Sequence, residues 1–262
     1  MSALPPKLYN YLPVKYLAGA LQHNHLHCSS PENFNDPWDC KPSFNDEVIA
    51  NPVDRQKWIA FFEQMAAPSP LHGQQLYIPL PPSWETKDEV LRQFINSTTE
   101  HSARTTAKNY RIFCLSPQAT LLLMWAHYGD RHKGICLEFD TTSKEISRAR
   151  KVKYEDKLPL VSPDDILKPE RLVELMLLTK SNDWSYEEEY RLLARNEPTF
   201  SLPTTDDFLQ LSPGAITAVV AGCRADLTAI REIIRENAPN TPLKLAVQQR
   251  NAYHLDIITD PS

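Results

Sequence analysis

Apolar and polar positions alternate through KLYNYL (7–12), which predicts a strand. Pro13 suits the first turn of a short helix ending near Leu21, and LHCSS (26–30) reads as a second strand. The spacing of Val48, Trp58, Phe61, Phe62 and Met65 predicts helix over 45–66, broken by Pro52. A proline-dense stretch from Ala67 to Ser83 reads as a surface loop. Residues 84–108 form a polar helix with a thin apolar stripe at Val90, Leu91, Phe94 and Ile95. RIFCLS (111–116) is a buried strand. Pro117 opens a helix from Ala119 to about Tyr128 that is apolar almost all round. GDRHKG is then a turn and GICLEFD (134–140) a strand.

RKVKYED (150–156) continues as a strand, and Pro169 starts a helix running from about Glu170 to Lys180. Strands follow at EYRLLAR (189–195) and TAVVAG (217–222), then a helix at LTAIREIIREN (227–237). LKLAVQQ (243–249) and YHLDIIT (253–259) are the last strands. No sustained βαβ rhythm is present, so the fold class is α+β. The expected organisation is one domain over 1–262, with a mixed and antiparallel sheet core and a helical, proline-rich insertion at about 45–108.

Net charge is −5, which excludes a broad basic surface for duplex nucleic acid and leaves a local basic groove open. Only six glycines occur, and neither GxGxxG nor GxxxxGK[ST] is present, so the common phosphate loops are excluded. Five scattered cysteines (Cys28, Cys40, Cys114, Cys136, Cys223) without a CxxC read as free, buried thiols of a reducing compartment. The first residues lack a basic segment followed by a long apolar one, and the longest apolar run, Leu121 to Ala126, is far short of a membrane span. A soluble, cytoplasmic protein with no membrane partner is expected.

Five segments carry candidate chemistry. In WSYEEEYRLL (184–193), extended backbone would place Glu187, Glu189 and Arg191 on one face and Trp184, Tyr186, Glu188 and Tyr190 on the other. Crowded carboxylates of this kind either serve base chemistry and ribose recognition or form a solvated acidic strand end. FNDPWD (34–39) either lines a polar pocket with Asn35 and Asp36 beside Trp38, or is an Asx-turn with Phe34 and Trp38 plugging the core. Trp125 and Tyr128, three apart with His127 between, either stack on a flat ligand or belong to the core. Ser116 faces a pocket or simply forms the turn before Pro117, and no GxSxG supports nucleophilic catalysis. His23, His25 and His27 would share a face in extended chain, but no fourth ligand stands at a familiar spacing, so no metal is expected.

Taken in order, Tyr9-x-Tyr11, FNDPWD, FCLS, MWAHYGDRHKGICLEFD and WSYEEEYRLL resemble a domain-of-unknown-function family, DUF2971, from about Lys7 to Arg195. More distantly, the chain is similar to the ADP-ribosyltransferase superfamily, whose split β-sheet core grips NAD. That similarity implies a first-strand position at Tyr11, a serine-ended strand at Ser116 and a Glu-x-Glu at Glu187 and Glu189. It implies Glu189 as the catalytic carboxylate and Glu187 as its helper, with NAD contacts from Tyr11, Asn35, Asp36, Ser116, Trp125, Tyr128 and Arg191. The sequence departs from the superfamily in lacking Arg or His on the first strand and in having Pro117 after Ser116.

The expectation is an NAD-dependent ADP-ribosyltransferase-like effector of toxin or phage-defence type. It would modify an intracellular protein or nucleic acid and could pair with an antitoxin or defence partner. The alternative is a noncatalytic nucleotide-sensing or protein-interaction module. A third reading, a metal-dependent nuclease using Asp36, Asp39 and the histidines, ranks below both.

Overall fold

The computed structural model describes residues 3–42, 47–66, 88–195 and 201–261. The loop expected over Ala67–Ser83 lies outside them. In chain order the elements are β1 (Lys7–Leu12), α1 (Leu17–His23), β2 (His25–His27), α2 (Glu47–Ala50), α3 (Pro52–Ala66), α4 (Asp88–Asn109) and β3 (Arg111–Leu115). Next come α5 (Leu122–His127), β4 (Ile135–Asp140), β5 (Arg150–Lys151), β6 (Lys153–Glu155), α6 (Pro163–Ile166), α7 (Pro169–Leu177), β7 (Thr179–Ser181) and β8 (Tyr190–Arg195). The chain ends with β9 (Leu202–Pro203), β10 (Phe208–Gln210), β11 (Ile216–Ala221), α8 (Leu227–Asn237), β12 (Leu243–Gln248) and β13 (Leu255–Thr259). The fold is α+β, with mixed parallel and antiparallel sheets. Two interleaved units divide it: 1–34, 109–152 and 182–262 form one, and 35–108 with 153–181 form the other.

In the first unit, β1-β4-β11-β12-β13 make a five-stranded sheet, antiparallel except for the β11–β12 pair. A second sheet runs β3-β8-β5, with β9 parallel to β8. Alternation sorts the side chains of the large sheet. Leu8, Ile135, Leu137, Phe139 and Val219 join Phe113, Leu115, Leu192 and Ala194 of the second sheet in one buried core. Leu17, Ala20 and Leu21 of α1 and Ile230 and Ile234 of α8 close that core. Helix α8 starts at Asp226, whose carboxylate accepts from the backbone N–H of Thr228 and Ala229, and Ile230 and Ile234 stand one turn apart on its buried stripe. The opposite positions of the large sheet, Tyr11, Cys136, Val220 and Ala246, pack against Met124 and Trp125 of α5.

The turn after α5 is tight. Asp130, Arg131 and His132 are three successive non-glycine residues with left-handed backbone (φ +46°, +56° and +68°). The chain tolerates this because Gly222 lies against it: a Cβ on Gly222 would collide with the His132 carbonyl, which instead accepts the N–H of Arg224 at 3.0 Å.

The second unit packs Ile49, Trp58, Ile59, Phe61, Leu91 and Ile95 of α2, α3 and α4 together. The apolar stripe expected on α4 holds at Leu91 and Ile95, whereas Val90 is exposed. This unit also takes β6 and β7, a parallel pair, with α6 and α7 between them.

Tertiary pairing overrides local pattern in three places. RKVKYED is two strands, because Val152 leaves one sheet by donating to the Glu189 carbonyl (2.9 Å) while Lys153 donates to the Leu178 carbonyl (2.8 Å). The helix expected to Lys180 stops at Leu177, and β-branched Thr179 opens β7. The helix expected from Ala119 begins only at Leu122, because the Ala119 carbonyl is taken by the Trp125 indole N–H (2.8 Å). All five cysteines are free thiols; Cys28, Cys40 and Cys136 are buried as expected, whereas Cys114 and Cys223 are only half-buried. Among the described residues, no helix is long and apolar enough to cross a membrane.

Candidate functional site

Three segments of the first unit meet at Ser116, just past the end of β3. Its N–H donates to the Tyr9 carbonyl and its carbonyl accepts from Tyr9 N–H, each at 2.8 Å, which ties β1 to the second sheet. Its hydroxyl donates to the Glu187 carbonyl at 3.0 Å, which ties the acidic run to the same point. Two residues on, the Gln118 carbonyl accepts the Tyr11 hydroxyl (2.6 Å) and the Gln118 amide donates to the Glu188 carboxylate (2.7 Å). Trp125, with no exposed surface, stands edge-on to Tyr11 with ring centres 5.0 Å apart. Burial pushes the Tyr11 phenol well above its ordinary pKa, so it stays a hydrogen-bond donor at neutral pH.

The acidic run is not the extended strand that its alternation predicts. Residues Asn182–Glu187 wind into a 3-10 helix, Glu188 takes left-handed backbone (φ +48°), and β8 begins only at Tyr190. The left-handed residue breaks the period of two, so Glu187 and Glu189 do not share a strand face. Glu187 is 2% exposed, and its carboxylate accepts the Tyr128 hydroxyl at 2.9 Å. Glu189 is 3% exposed, and both its oxygens are held by Arg191, at 2.8 Å from Nε and 3.0 Å from Nη2. Arg191 itself has no exposed surface, and its guanidinium lies over the Phe34 ring at 5.3 Å. A solvated acidic strand end is therefore the wrong description for either carboxylate. The expected partition of aromatics fails too: Tyr190 joins the two-sheet core, whereas Tyr186 packs with Tyr11 and Trp125.

Tyr128, His127, Trp184 and Tyr186 form a row beside Glu187, with successive ring centres 6.2, 6.4 and 6.1 Å apart. His127 is exposed, and Tyr128, Trp184 and Tyr186 are half-buried.

A second polar network on the large sheet was not foreseen. Glu138, buried, receives hydrogen bonds from Lys244, Thr217 (2.8 Å) and Tyr9 (3.4 Å), and Lys7 stands 3.8 Å away. The available signal was one carboxylate inside the otherwise apolar ICLEF. Burial acts to raise its pKa, but the bonds from Lys244 and Thr217 and the charges of Lys244 and Lys7 outweigh it and hold the carboxyl below the usual value. Tyr9 is pushed up to about 12, by burial first and by Glu138 second. A depressed folded-state pKa means that this network stabilises the protein above the unfolded glutamate pKa. The contribution disappears as pH falls through the folded one. Glu138→Gln is therefore expected to flatten the acid side of a melting-temperature-against-pH curve below about pH 4.5, the reference glutamate value. An unchanged acid limb counts against this attribution.

Asn35 and Asp36 belong to the second unit. Asn35 is exposed, and the Asp36 carboxylate accepts the Trp38 N–H at 2.9 Å, the Asx-turn reading of FNDPWD. Trp38 is 64% exposed and does not plug a core. Asp39, also in that unit, is buried 3.8 Å from Lys180. His25 stacks on Phe208 at 4.2 Å and meets the His23 ring at 5.1 Å across left-handed Asn24, and His27 meets the Phe208 ring edge-on at 5.3 Å. Among the described residues, no three His, Cys, Asp or Glu side chains are arranged to hold a metal ion.

Residues 124–192 match the profile of a family described as "Protein of unknown function (DUF2971)". That stretch carries Trp125, Tyr128, the left-handed turn, Glu187 and Arg191, and it supports the family resemblance there. No curated protein and no solved structure matches the chain.

Proposed function

We propose that this protein transfers ADP-ribose from NAD and that Glu187 is the carboxylate that faces the reacting ribose. The observation that carries this reading is the junction at Ser116. There the first strand, the serine-ended strand and the Glu-x-Glu run are joined by hydrogen bonds. In the reaction the bond between ribose C1′ and the nicotinamide nitrogen breaks, and nicotinamide leaves with the electron pair. An acceptor heteroatom bonds to C1′ and gives up its proton. A buried carboxylate, held by the Tyr128 hydroxyl and by Ser116 through its backbone, is preorganised to stabilise the cationic ribose. Tyr11 and Trp125, named as NAD contacts by the superfamily similarity, are instead buried core residues in edge-on contact. Glu189, the catalytic carboxylate by the superfamily similarity, is instead a positioning residue in this reading, since both its oxygens already grip Arg191. Glu187 takes the role that the similarity gave to Glu189. The role of an intracellular toxin or defence effector, with an antagonist partner, belongs to the same reading.

One observation favours the alternative of a noncatalytic nucleotide-binding module. Both carboxylates are buried and hydrogen-bonded, as in a rigid receptor. A thermal-shift titration with NAD, with nicotinamide release followed in the same samples, separates the two. Saturation a hundredfold above Kd stabilises by about 2.7 kcal/mol, roughly 5–10 °C for a chain of this size. A shift with release supports transfer, and a shift without release at any acceptor supports the module. No shift at millimolar NAD overturns both.

A further inference from the structure

We infer that the aromatic row and the cationic turn beside it bind single-stranded nucleic acid, which makes a nucleotide strand the acceptor class. This rests on the transferase reading for the chemistry alone; the binding stands apart from it.

His127 is exposed and Trp184 and Tyr186 are half-buried, with ring centres a little over 6 Å apart and planes tilted by 67° and 38° from one to the next. Every base presents a π-face, so rings turned in different directions take individual splayed bases of an unpaired strand with little regard to sequence. The bases of a duplex are hidden in the stack. The row ends at Tyr128, which holds Glu187, so a base stacked there lies next to the reacting centre. Directly after Tyr128 the chain enters the left-handed turn, where Arg131 and Lys133 are exposed. Exposed Arg224 is joined to that turn by its N–H on the His132 carbonyl. None of the three cations has a carboxylate within salt-bridge distance among the described residues. Asp130 in the turn and Asp183 beside Trp184 dilute the positive charge. Stacking therefore supplies most of the affinity, and phosphate contacts a smaller share.

The test is fluorescence anisotropy of a labelled 15-nucleotide single strand of mixed sequence against the full-length protein, across a salt series. The wild type is expected to bind the single strand at least tenfold more tightly than the matching duplex. Trp184→Ala should weaken binding by about tenfold, the loss of one stacked base, and Trp184→Phe should restore most of it. The Arg131→Gln/Lys133→Gln/Arg224→Gln variant should reduce the slope of log affinity against log salt by about 2, since each single-strand phosphate contact contributes roughly 0.7. Circular dichroism establishes that each variant is folded, and the phenylalanine variant covers failure of the alanine one. Equal affinity for duplex, no binding at 50 mM salt, or displacement of the strand by an equally charged glutamate peptide overturns the proposal. Strand binding without nicotinamide release defeats the transferase reading and leaves this one standing. Release without strand binding does the reverse.

Discussion

Glu187→Gln is expected to cut nicotinamide release by about a hundredfold or more and to move the melting temperature by no more than a degree or two. The substituted amide keeps a carbonyl oxygen where the carboxylate accepts from Tyr128, and the Ser116 bond goes to the backbone of residue 187, so the local fold survives. What is lost is negative charge beside the ribose as nicotinamide departs. Removing one preorganised group of this kind costs about 3–4 kcal/mol of transition-state stabilisation. The loss should fall on kcat, with KM for NAD changing little, because the charge matters most when the ribose carries its own. Full activity in the variant eliminates Glu187 from the chemistry. A large fall in melting temperature would instead assign it a structural role.

Arg191→Met, by contrast, should act on stability. Arg191 and Glu189 are both buried and joined by two short hydrogen bonds. Removing the cation strands a carboxylate in low dielectric, a loss of about 3–5 kcal/mol. For a protein of this size that lowers the melting temperature by roughly 6–20 °C. Arg191→Met combined with Glu189→Leu should recover most of the loss, because replacing both members of a buried pair with apolar groups is often neutral or stabilising. Thermal denaturation followed by circular dichroism measures both. A single variant within about 1 kcal/mol of wild type would mean that the pair is solvated, contrary to its burial. Glu189→Gln is expected to resemble the destabilised variant more than the catalytically impaired one, which separates the roles of the two glutamates.

Those roles were legible in sequence only as a pair. The strand at 7–12 followed from alternation, and the strands at 135–140 and 243–248 and the helix at 227–237 were also legible in the sequence. Each is governed by contacts within a few residues or by burial of one face or, in 135–140, of both. The acidic run was misread because WSYEEEY alternates like a strand, while its path depends on Ser116 and Gln118, some seventy positions away. Nothing local signals a left-handed glutamate at 188. The same holds for Val152, where pairing partners distant in sequence split one apparent strand between two sheets. Ser116 and Tyr128 could be named as pocket residues from their neighbours. That both would be bonded to Glu187 could not, since that requires the register of β3 against β8.

The interleaving of the two units also orders events during synthesis. β1 emerges first, but its partner β4 follows more than a hundred residues later, as the pairing of Leu12 with Ile135 shows. Chain segments of the second unit are made in between, and that unit in turn lacks β7 until Ser181 has been translated. At roughly 5–20 residues per second, the amino-terminal strand spends several seconds or more beyond the ribosome with its edge unpaired. A nascent chain arrested before Ile135 would offer that edge to chaperones and to other copies of itself, and the hazard ends only when β4 arrives.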